Sequence, residues 1–262
     1  RSRPFVAKIL NVNVPRRMGE QELHENNKRL LSSFSPVVPR VQEGNAATET
    51  TQQNNGLLTA DEKDFLDLAF HCFDSPLTAL YHRRGWGIQK GDEVVNSLEK
   101  KGYIVKVSLN PSGKQGGLSV FLFHTEKFYA LTGKEKPVAG SDGRGAEHQV
   151  ELRLLHKNLK EAKKCNSVEI GRAFEGARTD LYFRHADAGY CVEVCCSTLK
   201  TEAEKISKIL KNPDVKSVFV VANKIELVKA LKDELKGLER VVVLKLSEFL
   251  NAGIEYLVNK EA

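Results

Sequence analysis

The sequence predicts an α/β protein with two folded parts: a small helical unit closed by a β-hairpin, and a mixed sheet flanked by helices. Three observations favour this class. Apolar residues recur at helical spacing in three consecutive segments between residues 57 and 101. Two strand-like runs then flank the glycine-containing turn "PSGKQGG". From residue 146 onward, apolar strand-like runs alternate with amphipathic segments, which is typical of a sheet covered by helices.

Residues 1–56 differ in composition from the rest of the chain. The segment "PFVAKILNVNVP" predicts a single strand, and "EGNAATETTQQNNG" is polar and free of aromatic residues. Such a segment buries too little apolar surface to order itself, so we expect a strand followed by a flexible linker. The chain begins with Arg rather than Met, which predicts a fragment of a longer protein.

Residues 57–136 predict three helices and a hairpin. Thr59 is a suitable N-cap for the first helix, Gly85 ends the second and Gly102 ends the third. Three helices followed by a hairpin is the element order of a winged helix-turn-helix. The stretch "VVNSLEKKGYIVKV" also resembles the passage from the third helix of that family into its first wing strand. The resemblance implies a unit that binds DNA or another protein.

A DNA-binding role would use the third helix in a major groove. The residues on or near it that could reach bases or phosphates are Gln89, Lys90, Asn96 and Lys100. Lys114, in the wing turn, could contact an adjacent stretch of backbone. Acidic residues on the same helix would repel DNA, namely Asp92, Glu93 and Glu99. Many winged helices bind protein instead, so both kinds of partner stay open.

A hinge of Gly, Ser and Asp is expected at residues 137–145, before the second domain at 146–262. The predicted order in that domain is α-β-β-β-α-β-α-β-α. Its late strands are continuous apolar runs, which predicts helices on both faces of the sheet.

Three acidic residues fall at chemically suggestive places in this order. Asp180 lies in "RTDLYF" on the second predicted strand, and Glu193 lies in "YCVEVCC" on the third. Glu147 stands at the start of the first helix, with Glu151 one turn later as its rival. The order and these residues resemble the PD-(D/E)xK, or restriction-endonuclease-like, nuclease superfamily. The resemblance implies that Asp180, Glu193 and Glu147 bind Mg²⁺ or Mn²⁺ for phosphodiester hydrolysis.

The sequence departs from that family's pattern where a lysine is expected two residues after the glutamate. Cys195 stands there and supplies no fixed positive charge. Lys200, near the start of the next helix, could project back as its substitute, and Arg178 is another candidate cation. Alternation along the strand places Glu193 on the face of Cys191 and Cys195, where a buried carboxylate would need a partner or a metal.

Plainer interpretations stand beside this one. An Asp and a Glu on adjacent strands are often only solvated strand ends, and His148 is expected to be a surface or capping residue. The net charge of +6 permits a polyanion partner. The five cysteines match no zinc pattern and predict a reducing, cytoplasmic setting. No apolar run approaches the roughly 20 residues of a membrane helix, so no membrane association is expected.

A further resemblance concerns the whole arrangement. The strand-like "PFVAKI" and the passage "VEVCCSTLKTEAEKI" are similar to C-terminal appendages of HerA-type and conjugation-type DNA-translocating ATPases. This chain has no GxxxxGK[ST] loop, so such a motor would be a partner or an upstream domain. The leading hypothesis is a metal-dependent nuclease domain with a DNA-binding unit. The alternatives are an inactive nuclease fold that docks on DNA or a motor, and a winged-helix transcription regulator with an unrelated effector domain.

Overall fold

The computed structural model describes residues 57–136, 144–162, 165–196 and 202–259. All of them belong to one compact unit, Asn54–Ala262. The predicted N-terminal strand and linker, most of the predicted hinge, and Lys200 lie outside the described residues. The described chain is a mixed α/β structure with a five-stranded sheet.

The N-terminal part contains the predicted helices and hairpin. Its elements are α1 (Ala60–His71), α2 (Leu77–Arg84), α3 (Ile88–Lys100), β1 (Ile104–Leu109), β2 (Ser119–His124) and α4 (Glu126–Thr132). Thr59 caps α1 as predicted, because its hydroxyl accepts from the Glu62 N–H at 3.2 Å and the Glu62 carboxylate accepts from the Thr59 N–H at 2.7 Å. Helix α4 was not predicted. The winged-helix assignment remains a prediction.

One apolar core holds these helices together. Phe65, Leu98 and Phe128 are fully buried in it, from α1, α3 and α4. Helix α3 approaches α2 closely at Gly91, where an added Cβ would lie 2.5 Å from the Tyr81 ring. A glycine is therefore needed at this position for packing rather than for backbone conformation.

The C-terminal part follows the predicted order closely. Its elements are α5 (Ala146–Glu161), β3 (Cys165–Ile170), β4 (Ala173–Phe174), β5 (Ala177–Arg178), β6 (Leu181–His185), β7 (Ala188–Val194), α6 (Glu202–Leu210), β8 (Val215–Ala222), α7 (Ile225–Glu234), β9 (Val241–Lys245), α8 (Leu246–Asn251) and α9 (Ile254–Asn259). The sheet order is β3-β6-β7-β8-β9; the first three strands are antiparallel and the last three are parallel. The short β4–β5 ribbon and the division of the terminal helix into α8 and α9 were not predicted.

Helices cover both faces of the sheet. On one face, Val192 and Val194 join a core with residues of α5, α8 and α9. On the other, Cys191 and Cys195 join a core with Ile206 and other residues of α6 and α7. The prediction that the two valines and the two cysteines point to opposite faces is confirmed. The restriction-endonuclease-like assignment remains a prediction.

The β-hairpin belongs to both parts of the chain. Ile104 and Leu122 point into the core of the N-terminal helices. Val107, Leu109 and Phe121 pack instead into the core beneath α5. The hairpin therefore ties the two predicted domains together within one unit. No helix in the described segments is long and apolar enough to span a bilayer.

Candidate active site at the carboxyl edge of the sheet

Asp180 and Glu193 meet where β6 begins and β7 ends. Leu181 pairs with Val192 in the antiparallel register of these strands. Extending that register by one residue places Asp180 directly opposite Glu193. Both residues are buried, with exposures of 2% and 1%. This edge also holds the carboxyl ends of the parallel strands β8 and β9, the usual place for ligand sites in α/β sheets.

Asp180 is held by three groups. The Arg144 Nη1 atom lies 2.7 Å from Oδ1 and 2.8 Å from Oδ2. The Val194 main-chain N–H donates to Oδ2 at 2.8 Å, and His148 Nε2 lies 3.2 Å from the same oxygen. Helix α5 supplies His148, and Arg144 stands just before that helix. Although burial favours the neutral acid, the His148 hydrogen bond and the charges of Lys205, His148 and Arg144 lower the pKa of Asp180 to about 2.

The Nε2 atom of His148 cannot form hydrogen bonds with Arg144 and Asp180 at the same time. Arg144 Nη1 lies 2.5 Å from His148 Nε2, and a guanidinium only donates. Nε2 must therefore accept this bond, in which case it cannot donate to Asp180. The two contacts are therefore alternatives, and the tautomer of the ring decides which of them is a hydrogen bond.

Glu193 pairs with a lysine from the next helix. Lys205, on α6, donates to Oε2 of Glu193, and its own side chain is only 19% exposed. Oε1 is buried and accepts no hydrogen bond among the described residues. The nearby Thr179 hydroxyl donates instead to the Leu181 carbonyl at 3.0 Å. Within the described residues, Glu193 thus has one carboxylate oxygen beside Asp180 that accepts no hydrogen bond.

The two carboxylates influence each other's titration. Burial and the charge of Asp180 raise the pKa of Glu193 to about 8, more than Lys205 lowers it. Burial favours the neutral amine of Lys205, but the charges of Glu193 and Asp180 outweigh this and raise its pKa. Two adjacent buried carboxylates are costly to ionise together without an added cation. An acid pair of this kind is a common feature of catalytic and metal sites.

Neither acid on α5, Glu147 or Glu151, has a described contact with Asp180 or Glu193, although Glu147 was expected to join them. Glu147 pairs with Lys224 at 3.1 Å, and its side chain is 31% exposed. Glu151, the rival, is completely buried. Burial, followed by the charge of Glu147, raises the pKa of Glu151 to about 8, while Lys224 and the Cys196 thiol partly oppose the shift. The described contacts therefore place Glu147 with Lys224 and Glu151, whereas His148 is the helix residue that touches Asp180.

A third acid approaches the pair from α6. Burial and the charge of Asp180 raise the pKa of Glu202, while Lys205 opposes the shift. Even so, within the described ranges no three His, Cys, Asp or Glu side chains form a group able to hold a metal ion. Mg²⁺ commonly uses one or two protein carboxylates and takes its other ligands from water and substrate phosphates. Glu193 Oε1, which accepts no hydrogen bond from the described residues, is the oxygen of the Asp180–Glu193 pair that could bind such a cation directly.

Three residues that contact the acid pair were not predicted to do so from the sequence: Lys205, Arg144 and His148. For the missing lysine, the sequence suggested Lys200 rather than Lys205 as the substitute. His148 was expected on the surface but is 5% exposed, so that expectation was wrong. Helical spacing could have indicated the positions of Lys205 and His148. Lys205 lies on the same helix face as Glu202 and the buried Ile209. His148 lies on the same helix face as the buried Leu152 and Leu155. Arg178, the other candidate cation, donates to the Gly171 carbonyl at 2.6 Å.

The predicted DNA-contacting residues are all exposed, and two of them have partners. These residues are Gln89, Lys90, Asn96, Lys100 and Lys114. Lys90 pairs with Asp61 at 2.8 Å, and Asn96 accepts from Lys106 at 2.8 Å. Lys114 in the hairpin turn and the α3 residues Gln89 and Lys100 present their side chains to solvent.

No protein-family model and no curated protein matches the sequence. Among solved structures, the chain is similar to protein VC1899 from Vibrio cholerae, with 8% identity and a TM-score of 0.32. The match covers 74% of this chain and 49% of that protein, so the chain spans about half its length. A similarity at this level supports no inference about function.

Proposed function

We propose that this chain is a DNA-binding protein whose C-terminal part hydrolyses phosphodiester bonds with Mg²⁺ or Mn²⁺ held by Asp180 and Glu193. The observation that carries the proposal is the pair of buried carboxylates on adjacent strands, of which Glu193 has a buried oxygen that accepts no hydrogen bond from the described residues. The resemblance of the element order to the PD-(D/E)xK superfamily supports the same chemistry.

Lys205 takes the role left open by Cys195 in this proposal. Its ammonium group reaches Glu193 from α6, so a positive charge stands beside the carboxylate although the strand carries none. A divalent cation at the pair would polarise the phosphate and acidify a bound water. Lys205 would stabilise negative charge that develops on the phosphate oxygens. Once Arg144 no longer donates to its Nε2 atom, His148 could donate to the Asp180 oxygen that the Val194 N–H also contacts, and so orient this carboxylate.

A metal ion could bind Asp180 only by displacing Arg144. Its guanidinium contacts both oxygens of Asp180, so an added cation must compete with it. Arg144 is 28% exposed and follows the undescribed residues 137–143. Once displaced from Asp180, this arginine would be available to a substrate phosphate, which guanidinium groups bind well.

The same contacts favour one alternative, an inactive nuclease-like fold that binds DNA or docks on a motor ATPase. In that case Arg144 and Lys205 permanently neutralise the two carboxylates, and the pair stabilises the fold only. The alternative predicts that Mn²⁺ does not bind at Asp180 and that DNA affinity is unchanged by Asp180→Asn.

The decisive test is metal-dependent cleavage of duplex and single-stranded DNA. We expect cleavage with Mn²⁺ or Mg²⁺ that EDTA stops, and that Asp180→Asn and Glu193→Gln each reduce by about 10²-fold or more. Lys205→Met is expected to lower the rate without lowering Mn²⁺ affinity, because it removes a positive charge beside the metal ligand Glu193. The matched control is Glu169→Gln, because Glu169 lies on the exposed side of β3. A nuclease activity that survives Asp180→Asn would refute the proposal.

A further inference from the structure

The turn of the β-hairpin is seated on the C-terminal part, close to the candidate active site. The Asn110 N–H donates to Oδ1 of Asn223 at 3.1 Å, and Asn251 Nδ2 donates to the Pro111 carbonyl at 3.0 Å. Gly113 has φ +69°, and an added Cβ there would lie 2.7 Å from Oγ of Ser247. Contacts from the end of β8 and from α8 thus fix the turn at the carboxyl edge of the sheet.

The strand register gives its distance from the acid pair. Glu193 pairs with Val220 on β8, and Asn223 follows three residues later. With ordinary strand spacings, the Cα atoms of Glu193 and Asn223 are about 11 Å apart. The next residue, Lys224, contacts Glu147 at 3.1 Å, and Glu147 precedes His148 on α5. The turn and the acid pair therefore lie on the same edge of the molecule.

The strand residues next to the turn also pack against the C-terminal part. Val107, Leu109 and Phe121 are buried in the core beneath α5. The turn itself exposes small and polar residues, with Lys114 at its centre. A lysine on a short glycine-rich turn can approach a phosphate closely, because little side-chain bulk surrounds it.

We infer that the hairpin turn Pro111–Gly117 forms a second contact point for the DNA strand cleaved at Asp180 and Glu193, with Lys114 on a phosphate a few nucleotides from the scissile bond. This inference rests on the proposed function for the cleavage position but not for the DNA contact. The separation of about 11 Å between Glu193 and Asn223 corresponds to about three nucleotides at 3.4 Å per nucleotide of one strand. Lys114 lies four residues beyond Asn110, the residue that Asn223 contacts, so its phosphate is expected at that distance or further. Because the turn is fixed against the C-terminal part, the Lys114 contact would determine how far from the bound phosphate the strand is cut.

Two measurements test the inference with the full chain. The first is DNA affinity by fluorescence anisotropy in EDTA, for Lys114→Gln and for the control Lys232→Gln. Lys232 is equally exposed but lies near the end of α7, eight residues beyond Lys224. We expect Lys114→Gln to weaken binding several-fold and to reduce the slope of log K against log salt by about one. Lys232→Gln should leave both unchanged.

The second measurement locates the contact. A photo-crosslinking amino acid at Gln115 should label DNA about three to six nucleotides from the Mn²⁺-dependent cut, allowing for the length of the turn. Equal affinities for Lys114→Gln and Lys232→Gln would overturn the inference, whether or not the chain cleaves DNA. Crosslinks scattered at random distances from the cut would also overturn it. A Lys114-dependent affinity without any cleavage would instead refute the proposed nuclease function and leave the DNA contact standing.

Discussion

Lys205 donates to the carboxylate of Glu193 across the gap between α6 and the end of β7. The glutamate is 1% exposed, and its strand offers Cys195 where a lysine would otherwise follow. The positive charge beside Glu193 therefore comes from a neighbouring helix. Removing Lys205 leaves the buried Glu193 carboxylate without its cation, and removing Glu193 leaves the Lys205 ammonium group without its acceptor. This pair is therefore the most direct target for mutation.

Replacing Lys205 with Met should destabilise the protein by about 2–4 kcal/mol at pH 8, because it strips a buried carboxylate of its cation. The matched change Lys208→Met removes an exposed pair with Glu204 on the same helix and should cost about 0.5 kcal/mol or less. Urea unfolding measures both. The double variant Lys205→Met/Glu193→Gln should recover part of the loss, and a double variant as unstable as Lys205→Met would contradict this account.

Glu151→Gln should change how stability depends on pH. Burial raises the folded pKa of Glu151 from 4.5 to about 8, so between these values the native state binds more protons than the unfolded state. The contribution of Glu151 to the free energy of unfolding is therefore greatest below pH 4.5, and it is lost as the pH rises toward about 8. The glutamine variant should gain about 2–3 kcal/mol relative to wild type between pH 5 and pH 7.

Chemical unfolding at several pH values provides this comparison. Glu169→Gln is the control for replacing a carboxylate with an amide, because Glu169 lies on the exposed side of β3, where its Oε1 atom is 3.5 Å from Arg172 Nη1. Its variant should differ less from wild type across this pH range than Glu151→Gln does. A difference between Glu151→Gln and wild type that stays constant from pH 5 to pH 8 would show that Glu151 titrates normally.

Asp180→Asn should show the opposite dependence. His148, Lys205 and Arg144 lower the folded pKa of Asp180 from 3.8 to about 2, despite its burial. Its contribution is present above pH 3.8 and is lost as the pH falls through about 2. We expect the variant to be about 2 kcal/mol less stable at pH 7, with a difference that closes toward pH 2. Thermal unfolding at pH 2–7 measures it, with the exposed-turn variant Asp187→Asn as control. A difference that persists at pH 2 would contradict this assignment.

Gly91→Ala should disrupt the packing of α3 on α2. The added Cβ would lie 2.5 Å from the buried Tyr81 ring, so we expect a loss of about 1–3 kcal/mol despite the higher helix propensity of alanine. Gly87→Ala is the matched control, since a Cβ added at Gly87 would have no atom within 4 Å, and it should change stability by less than about 1 kcal/mol. Two variants of equal stability would mean that Tyr81 moves freely.

Much of the local structure was predictable from residue spacing. The helical periodicity and the Thr59 cap predicted α1, and alternation along "YCVEVCC" predicted that Glu193 shares a buried face with Cys191 and Cys195. Such features depend on residues that are neighbours in sequence, so the pattern alone carries them. Helix α4 and the β4–β5 ribbon escaped prediction because each is short and lacks a strong repeat.

The sequence by itself determined the order of the long helices and strands and the face of β7 on which Glu193 lies. Only the tertiary structure decided which residues meet the two carboxylates: Lys205 for Glu193, and Arg144 with His148 for Asp180. The reason is physical. Packing of distant apolar residues fixes how α5 and α6 approach the end of β7, and no periodicity within either helix records the position of its neighbour. The seating of the hairpin turn against Asn223 was decided in the same way.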